Sequence, residues 1–307
     1  MADSYIKPIF PEIPFNSQKM SWGHKWLELP LIWTETQALG QGITIAVIDT
    51  GITPAHPDLQ ACIDPRSRSF SGNEEDITDK DGHGTKMSGI ISASGNHFVF
   101  GVAPRSRIVV LKAAEYARGA DPLRFAEALE FGATLDDVQI ISFSHVFNDH
   151  PDLKTGIESC LSKGKIVFAA AGNGRNLDLP ESPDQDLFPA CYDGVLSVGA
   201  FDKKGKVCTF SNWSEHLDFL APGDNGVLTS GTNGQRSMGG QTSIATAFAA
   251  GCFALLLSFA RDNDIPVNQC LSALLSHCDD VGPTIGRDFR SGHGLLNLRN
   301  TLKSLLI

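Results

Sequence analysis

Nothing in this chain marks a metal cluster, a secreted leader or a nucleic-acid binder. Cys62, Cys160, Cys191, Cys208, Cys252, Cys270 and Cys278 are an odd number with no close pairs, so they give neither metal-ligand spacing nor a disulfide framework. Reduced, mostly buried thiols in a cytoplasmic protein are the simplest account. Basic excess is also missing: a net charge of −10 and a pI near 5.3 argue against nucleic acid or an anionic membrane as partner. The amino end carries Asp3, Pro8, Glu12 and Pro14, unlike a signal peptide, and the apolar run from Gly251 to Phe259 is too short to span a bilayer. No internal repeat, low-complexity tract or linker divides the 307 residues, whose 42% hydrophobic content suffices for a sizeable core.

What is present alternates. Ile43 to Ile48 reads as a buried parallel strand with Asp49 at its carboxyl end. Residues 60 to 80 are polar and read as surface loop, and Thr85 to Ala93 is a short helix candidate that places His83 near its start. Arg107 to Lys112, Val138 to Phe143 and Ile166 to Ala170 are further strands. Between them lie helices at Pro122 to Leu135, capped by Asp121, and at Pro151 to Ser162, closed by Gly164. Strand candidates at Gly194 to Ala200 and Leu217 to Leu220 follow. Gly223 to Gly240 reads as flexible chain, then a helix runs to about Phe259, with closing helices at Pro266 to His277 and Leu295 to Leu305. This order predicts an α/β fold of three layers, a mostly parallel central sheet with helices on both faces. Pro8, Pro11, Pro14 and Pro30 exclude a long helix at the amino end, where Trp22, Trp26 and Trp33 supply anchors. Residues 1–20 are read as an extension and 21–307 as one domain.

Three chemical groups sit at junctions between these elements: Asp49 at a strand end, His83 in Asp81-Gly82-His83-Gly84-Thr85, and Ser243 where a glycine-rich turn enters a helix. Each alone is more often a cap or a structural residue. Together, an acid, an imidazole and a hydroxyl are what nucleophilic acyl transfer needs. In that reading Ser243 attacks a carbonyl, His83 carries the proton to the leaving amine, and Asp49 holds the imidazole in the useful tautomer. Asn173, in Gly172-Asn173-Gly174, is either a turn former or a side-chain donor to the developing oxyanion, together with the Ser243 N–H.

The motifs that carry these residues resemble those of the subtilisin-like serine proteases over nearly all of residues 20 to 300. Val47-Ile48-Asp49-Thr50-Gly51 with His56-Pro57-Asp58-Leu59 is similar to the family's aspartate motif. Asp81 to Thr85 is similar to its histidine motif, Ala170-Ala171-Gly172-Asn173 to its oxyanion motif, and Thr242-Ser243-Ile244-Ala245-Thr246 to its serine motif. The chain order Asp, His, Ser separates this family from chymotrypsin-like and α/β-hydrolase enzymes. The resemblance implies an endopeptidase acting on a peptide or protein, with Ser142-Phe143-Ser144 as one substrate edge and pocket wall. Tyr116 to Ala120, including Arg118 and Gly119, would form the other edge. Leu187 at the pocket base would favour an apolar side chain, whereas Asp186 there would favour a basic one.

The resemblance is incomplete in places. Gln241 and Ala247 stand where the family has Gly and Pro, and Lys86 stands where it often has a second His. Ser144-His145 replaces a frequent Gly-Gly, which would narrow the cleft or change how peptide backbone is held. These departures point to narrow specificity, with a non-catalytic peptide-binding module, a dedicated precursor-processing protease or an acyl transferase as the alternatives. No cofactor is required for the chemistry. A structural Ca2+ is implied at Asp58 with oxygens from the loop Gly95 to Val99, where Asn96 is the obvious side-chain ligand; Asp58 as a turn cap is the other reading. The short amino end resembles the intracellular branch of the family. There, Tyr5-Ile6-Lys7-Pro8-Ile9-Phe10 would cross and inhibit the cleft, or else form a disordered tail; an unchanged rate after deletion of residues 1–16 would overturn the inhibitory reading.

Overall fold

The computed structural model describes residues 17–175 and 183–306, so the proposed inhibitory segment Tyr5 to Phe10 lies outside the described residues. After a single 3-10 turn at Ser17–Lys19 come α1 (Trp22–Trp26) and α2 (Leu29–Thr36), then β1 (Thr44–Asp49) and β2 (Arg68–Ser69). Next are α3 (His83–Ser92), β3 (Arg107–Lys112), α4 (Pro122–Thr134), β4 (Ile140–Phe143), α5 (Pro151–Ser162) and β5 (Ile166–Ala170). The chain continues through β6 (Val195–Phe201), β7 (Leu217–Pro222), β8 (Val227–Ser230), β9 (Arg236–Gly239), α6 (Gln241–Asp262), α7 (Val267–Ser276) and α8 (Leu298–Ser304).

The main sheet runs β2-β3-β1-β4-β5-β6-β7, parallel throughout. Alternation along β1 explains the layers. Ile45 and Val47 join Ile90 and Ile91 of α3 and the long α6 in one core. Ala46 and Ile48 join Phe125 and Leu129 of α4 with Leu153 and Ile157 of α5 in the other. A strand covered on both faces reads as a continuous apolar run, which is why β1 shows no polar alternation. Phe248 and Phe253 of α6 are fully buried, and each such side chain contributes about 1.5–3 kcal/mol on leaving water.

The three-layer α/β reading holds, with local corrections. Two short helices, α1 and α2, occupy residues 22–36: Pro30 falls in the first turn of α2, where its missing N–H costs nothing, and Trp33 is buried with Nε1 donating to the Val102 carbonyl at 3.0 Å. The stretch read as flexible before Ser243 contains the antiparallel hairpin β8–β9, whose turn carries Asn233-Gly234, a strong hairpin signal. The length argument against a membrane span also fails, since α6 has 22 residues and a mean hydropathy of 1.9. Its apolar window is fully covered by protein, so its hydropathy serves the core.

The chain passes from β1 to β2 and β3 on one side, then returns to place β4 on the other. This switch point lies at the carboxyl edge of β1, where open α/β sheets bind ligands. Asp49 ends β1, Ser144 follows β4 and Asn173 follows β5 at the same edge.

Candidate active site

The aspartate and histidine are joined by a loop that a second, buried aspartate organises. Gly82, just before α3, has no side chain with which to cap it. Asp79 does so instead: Oδ1 accepts from the N–H groups of Asp81 and Gly82 at 3.0 and 2.8 Å, and Oδ2 from the Thr85 N–H at 2.8 Å and hydroxyl at 2.6 Å. The Thr50 hydroxyl donates to Asp79 at 2.9 Å and accepts from the Gly84 N–H at 2.9 Å, tying the end of β1 to the start of α3. The approach is close enough that a Cβ on Gly84 would lie 2.2 Å from the Gly51 carbonyl oxygen. Asp79 was absorbed into a surface loop by the sequence reading; its place four residues before His83, at a helix start, is the signal that could have marked it.

His83 Nδ1 donates to Asp49 Oδ1 at 2.7 Å and lies 2.9 Å from Oδ2, while the Thr50 N–H donates to Oδ1 at 2.7 Å. Burial pushes the Asp49 carboxyl up, but the His83 and His145 imidazoles and the hydrogen bonds from His83 and Thr50 outweigh it, so the net shift is downward. Burial likewise pushes His83 down, and the Asp49 charge and hydrogen bond reverse it to a net rise. An ionised carboxylate on Nδ1 fixes the tautomer and leaves Nε2 as the basic nitrogen.

Ser243 lies in the first turn of α6, and the Gln241 before it has φ of 79°, a left-handed conformation that favours glycine. The Gln241 N–H is anchored on the Gly223 carbonyl at 2.6 Å and its side chain is exposed. Ser243 Oγ donates to the Ser144 carbonyl at 3.1 Å, and Ser144 Oγ donates back to the Ser243 carbonyl at 3.3 Å. Among the described residues no hydrogen bond joins Ser243 to His83. The Ser243 hydroxyl therefore rests against the chain leaving β4, and catalytic contacts commonly tighten only when substrate is bound. Asn173 Oδ1 accepts from both the N–H and the hydroxyl of Thr242 at 2.9 Å. Because an N–H can only donate, these bonds identify the oxygen and leave the Nδ2 donors directed elsewhere.

The other expected residues divide. Ser142 and Phe143 are 1% and 0% exposed, β4 being covered on both faces with Phe143 packed against Phe125 at 5.2 Å, so what this stretch offers a substrate edge is backbone. Ser144 alone of that trio touches the site. Tyr116, Arg118 and Gly119 are exposed on the β3–α4 loop, which the Ala117 N–H ties to Asp81 at 3.2 Å. Leu187 leans on Gly172 beside Asn173, where a Cβ on that glycine would come within 2.4 Å of Leu187 Cδ1. An open cavity of about 470 Å3 on the far side of His83 is lined by Lys86, Met87, Met238, Gln241 and Ile244, none of which entered the sequence reading as a binding residue.

His145 does not narrow the cleft. It turns inward, with its ring 4.7 Å from Phe125 and 5.1 Å from His83, and its Nδ1 is 3.8 Å from Asp49 Oδ2. Burial holds its pKa down at about 4, so it is neutral near pH 7.

The calcium expectation at Asp58 and Asn96 is overturned by donor chemistry. Asp58 Oδ1 accepts from the Ser94 hydroxyl at 3.2 Å and the His97 N–H at 2.7 Å; Oδ2 accepts from the N–H groups of Phe98 and Val99 at 2.7 and 3.1 Å. These donors occupy the lone-pair positions a cation would need. The Asn96 side chain is exposed, and the carbonyls of Gly95 and Asn96 already accept from Lys19 Nζ at 2.9 and 3.0 Å. The turn-cap reading of Asp58 stands, and an ammonium occupies the loop's carbonyl oxygens.

Comparison with known proteins agrees with this architecture. The chain is 30% identical over 285 residues to an intracellular serine protease of Paenibacillus polymyxa, covering 90% of this chain and 84% of that one. It is 29% identical over 280 residues to the minor extracellular protease Epr of Bacillus subtilis (strain 168), 91% of this chain and 41% of the longer relative. The crystal structure of an epidermin leader peptide processing serine protease from Staphylococcus aureus shares the fold with a TM-score of 0.78 at 24% identity, over 92% of this chain and 80% of that one. Residues 40–294 match the Subtilase family, and the chain belongs to that family of serine proteases, which hydrolyse peptide bonds.

Proposed function

We propose that Ser243 is the nucleophile of an endopeptidase of narrow specificity, with His83 as general base and acid and Asp49 as the group that orients it. The observation carrying this reading is the 2.7 Å contact between His83 Nδ1 and Asp49 Oδ1, at the sheet edge that also holds Ser243 and Asn173. Rotation of the Ser243 hydroxyl from the Ser144 carbonyl to His83 Nε2 starts the reaction. His83 takes the proton as Oγ bonds to the substrate carbonyl carbon, then gives it to the leaving amine; water repeats the sequence to release the acyl group. The Asn173 amide and the Ser243 N–H serve the oxyanion.

Peptide adds as a strand between Ser144 and the loop Tyr116 to Ala120, and Leu187 favours an apolar residue before the cut bond. The cavity beyond His83 receives the leaving side, and Lys86 favours an acidic group there. All seven cysteines are unpaired and six of them are buried, which supports a cytoplasmic location. A fluorophosphonate probe tests the assignment. It should label Ser243 and lose that label on Ser243→Ala; folded protein that resists labelling contradicts the proposal.

A further inference from the structure

We propose that Asp49, His83 and His145 form a binding site for one divalent transition-metal ion, zinc being the best fit, and that filling it switches the peptidase off. The inhibitory half of this proposal rests on the triad assignment above; the binding half does not.

His145 is 7% exposed, and neither of its ring nitrogens has a hydrogen-bond partner. Buried imidazoles ordinarily satisfy at least one nitrogen, so both nitrogens of this ring are open to an added ligand. Phe125 and His83 hold it in place, and Nδ1 faces the Asp49 carboxylate at 3.8 Å. One ligand atom each from Asp49, His83 and His145 falls within 4.8 Å of the others. Zinc holds imidazole nitrogen and carboxylate oxygen at about 2.0–2.2 Å, so two of its tetrahedral ligand atoms stand about 3.3 Å apart. From the single oxygen Asp49 Oδ2 the separations are 2.9 Å to His83 Nδ1 and 3.8 Å to His145 Nδ1, on either side of that value. Ring shifts of at most about 1.5 Å would close the site around zinc, with water as the fourth ligand.

Two imidazoles and one carboxylate select zinc over calcium or magnesium, which take oxygen ligands. The His83 side chain is 22% exposed, which gives the ion a route from the cleft. Zinc takes the place of the Nδ1 proton of His83, which leaves to solvent. Asp49 then holds a metal instead of an imidazole N–H, and His83 can no longer accept the Ser243 proton as the triad requires.

The test uses full-length Ser243→Ala protein, which cannot digest itself, titrated with zinc chloride in a calorimeter. One-to-one binding in the micromolar range is expected, weakened at least ~100-fold by His145→Phe. Cobalt in place of zinc should give a four-coordinate spectrum without a thiolate charge-transfer band, a readout that needs no His145 variant to fold. In the unmutated enzyme, zinc should stop peptide turnover and a chelator should restore it. Absence of binding, binding unchanged in folded His145→Phe, or a thiolate band pointing to Cys191 with Asp186 and His216 would each overturn the site. Fluorophosphonate labelling of Ser243 without zinc binding fails this proposal alone, and zinc binding without labelling fails the triad assignment alone.

Discussion

Substituting Gly84 by alanine leaves every reacting group in place and moves only their spacing. A Cβ there would stand 2.2 Å from the Gly51 oxygen and 3.0 Å from the Gly51 nitrogen. An ordinary carbon–oxygen contact is about 3.3 Å, so the first turn of α3 must retreat by about 1 Å from the end of β1. His83 is the residue immediately before Gly84, and Asp49 precedes Thr50-Gly51, so the retreat stretches the 2.7 Å contact between them. A misplacement of about 1 Å costs about 100-fold in rate, or roughly 2.7 kcal/mol of transition-state stabilisation. Overpacking costs a further ~1–3 kcal/mol of fold stability. Helix propensity works the other way, because Gly84 has no positive φ and alanine in a helix gains about 1 kcal/mol. Hydrolysis of a chromogenic peptide, run beside a thermal melt, measures both. Unchanged kcat/KM in a folded Gly84→Ala protein would refute the claim that this backbone contact sets the distance between acid and base.

Asn173→Ala should lower kcat by about 10²–10³-fold with little change in KM, since the Nδ2 donors act on charge that develops only in the transition state; an equal rise in KM would assign Asn173 to substrate binding. The acid limb of kcat/KM should show a single midpoint above 6.5, the ordinary histidine value. The sign follows from Asp49: it raises His83, the base works only when neutral, and activity therefore appears as pH rises through the raised value, while His145, held down at about 4, adds no limb near neutrality. A midpoint below 6.5 in a pH titration contradicts the coupling. Adding millimolar calcium chloride should leave the melting temperature unchanged, whereas Lys19→Met should destabilise by about 1 kcal/mol by freeing the Gly95 and Asn96 carbonyls. A large rise in melting temperature with calcium would restore a calcium role.

The parallel sheet was legible because β1, β3, β4 and β5 are apolar runs bounded by turn residues, and Asp49, His83 and Ser243 stand out as candidates because each sits at a junction in a recognisable motif. What sequence could not show is where polar side chains turn once buried. His145 reads as an intruder in the cleft, yet β4 delivers it inward against Phe125. Asp79 reads as one acid among many on a polar stretch, yet it is 5% exposed and caps the helix carrying His83. Asp58 offers the right chemistry for calcium, and only the fold reveals that Ser94, His97, Phe98 and Val99 have already filled its oxygens. The hairpin β8–β9 is a different kind of miss: its Asn233-Gly234 turn lies within a stretch whose glycine content reads as flexible chain.

The most direct test of the account is a crystal structure of the enzyme soaked with a peptide aldehyde. The account predicts a hemiacetal on Ser243 Oγ, its oxygen about 3 Å from Asn173 Nδ2 and its peptide lying along Ser144. An aldehyde bound without a bond to Ser243, or an adduct whose oxygen points away from Asn173, would contradict it.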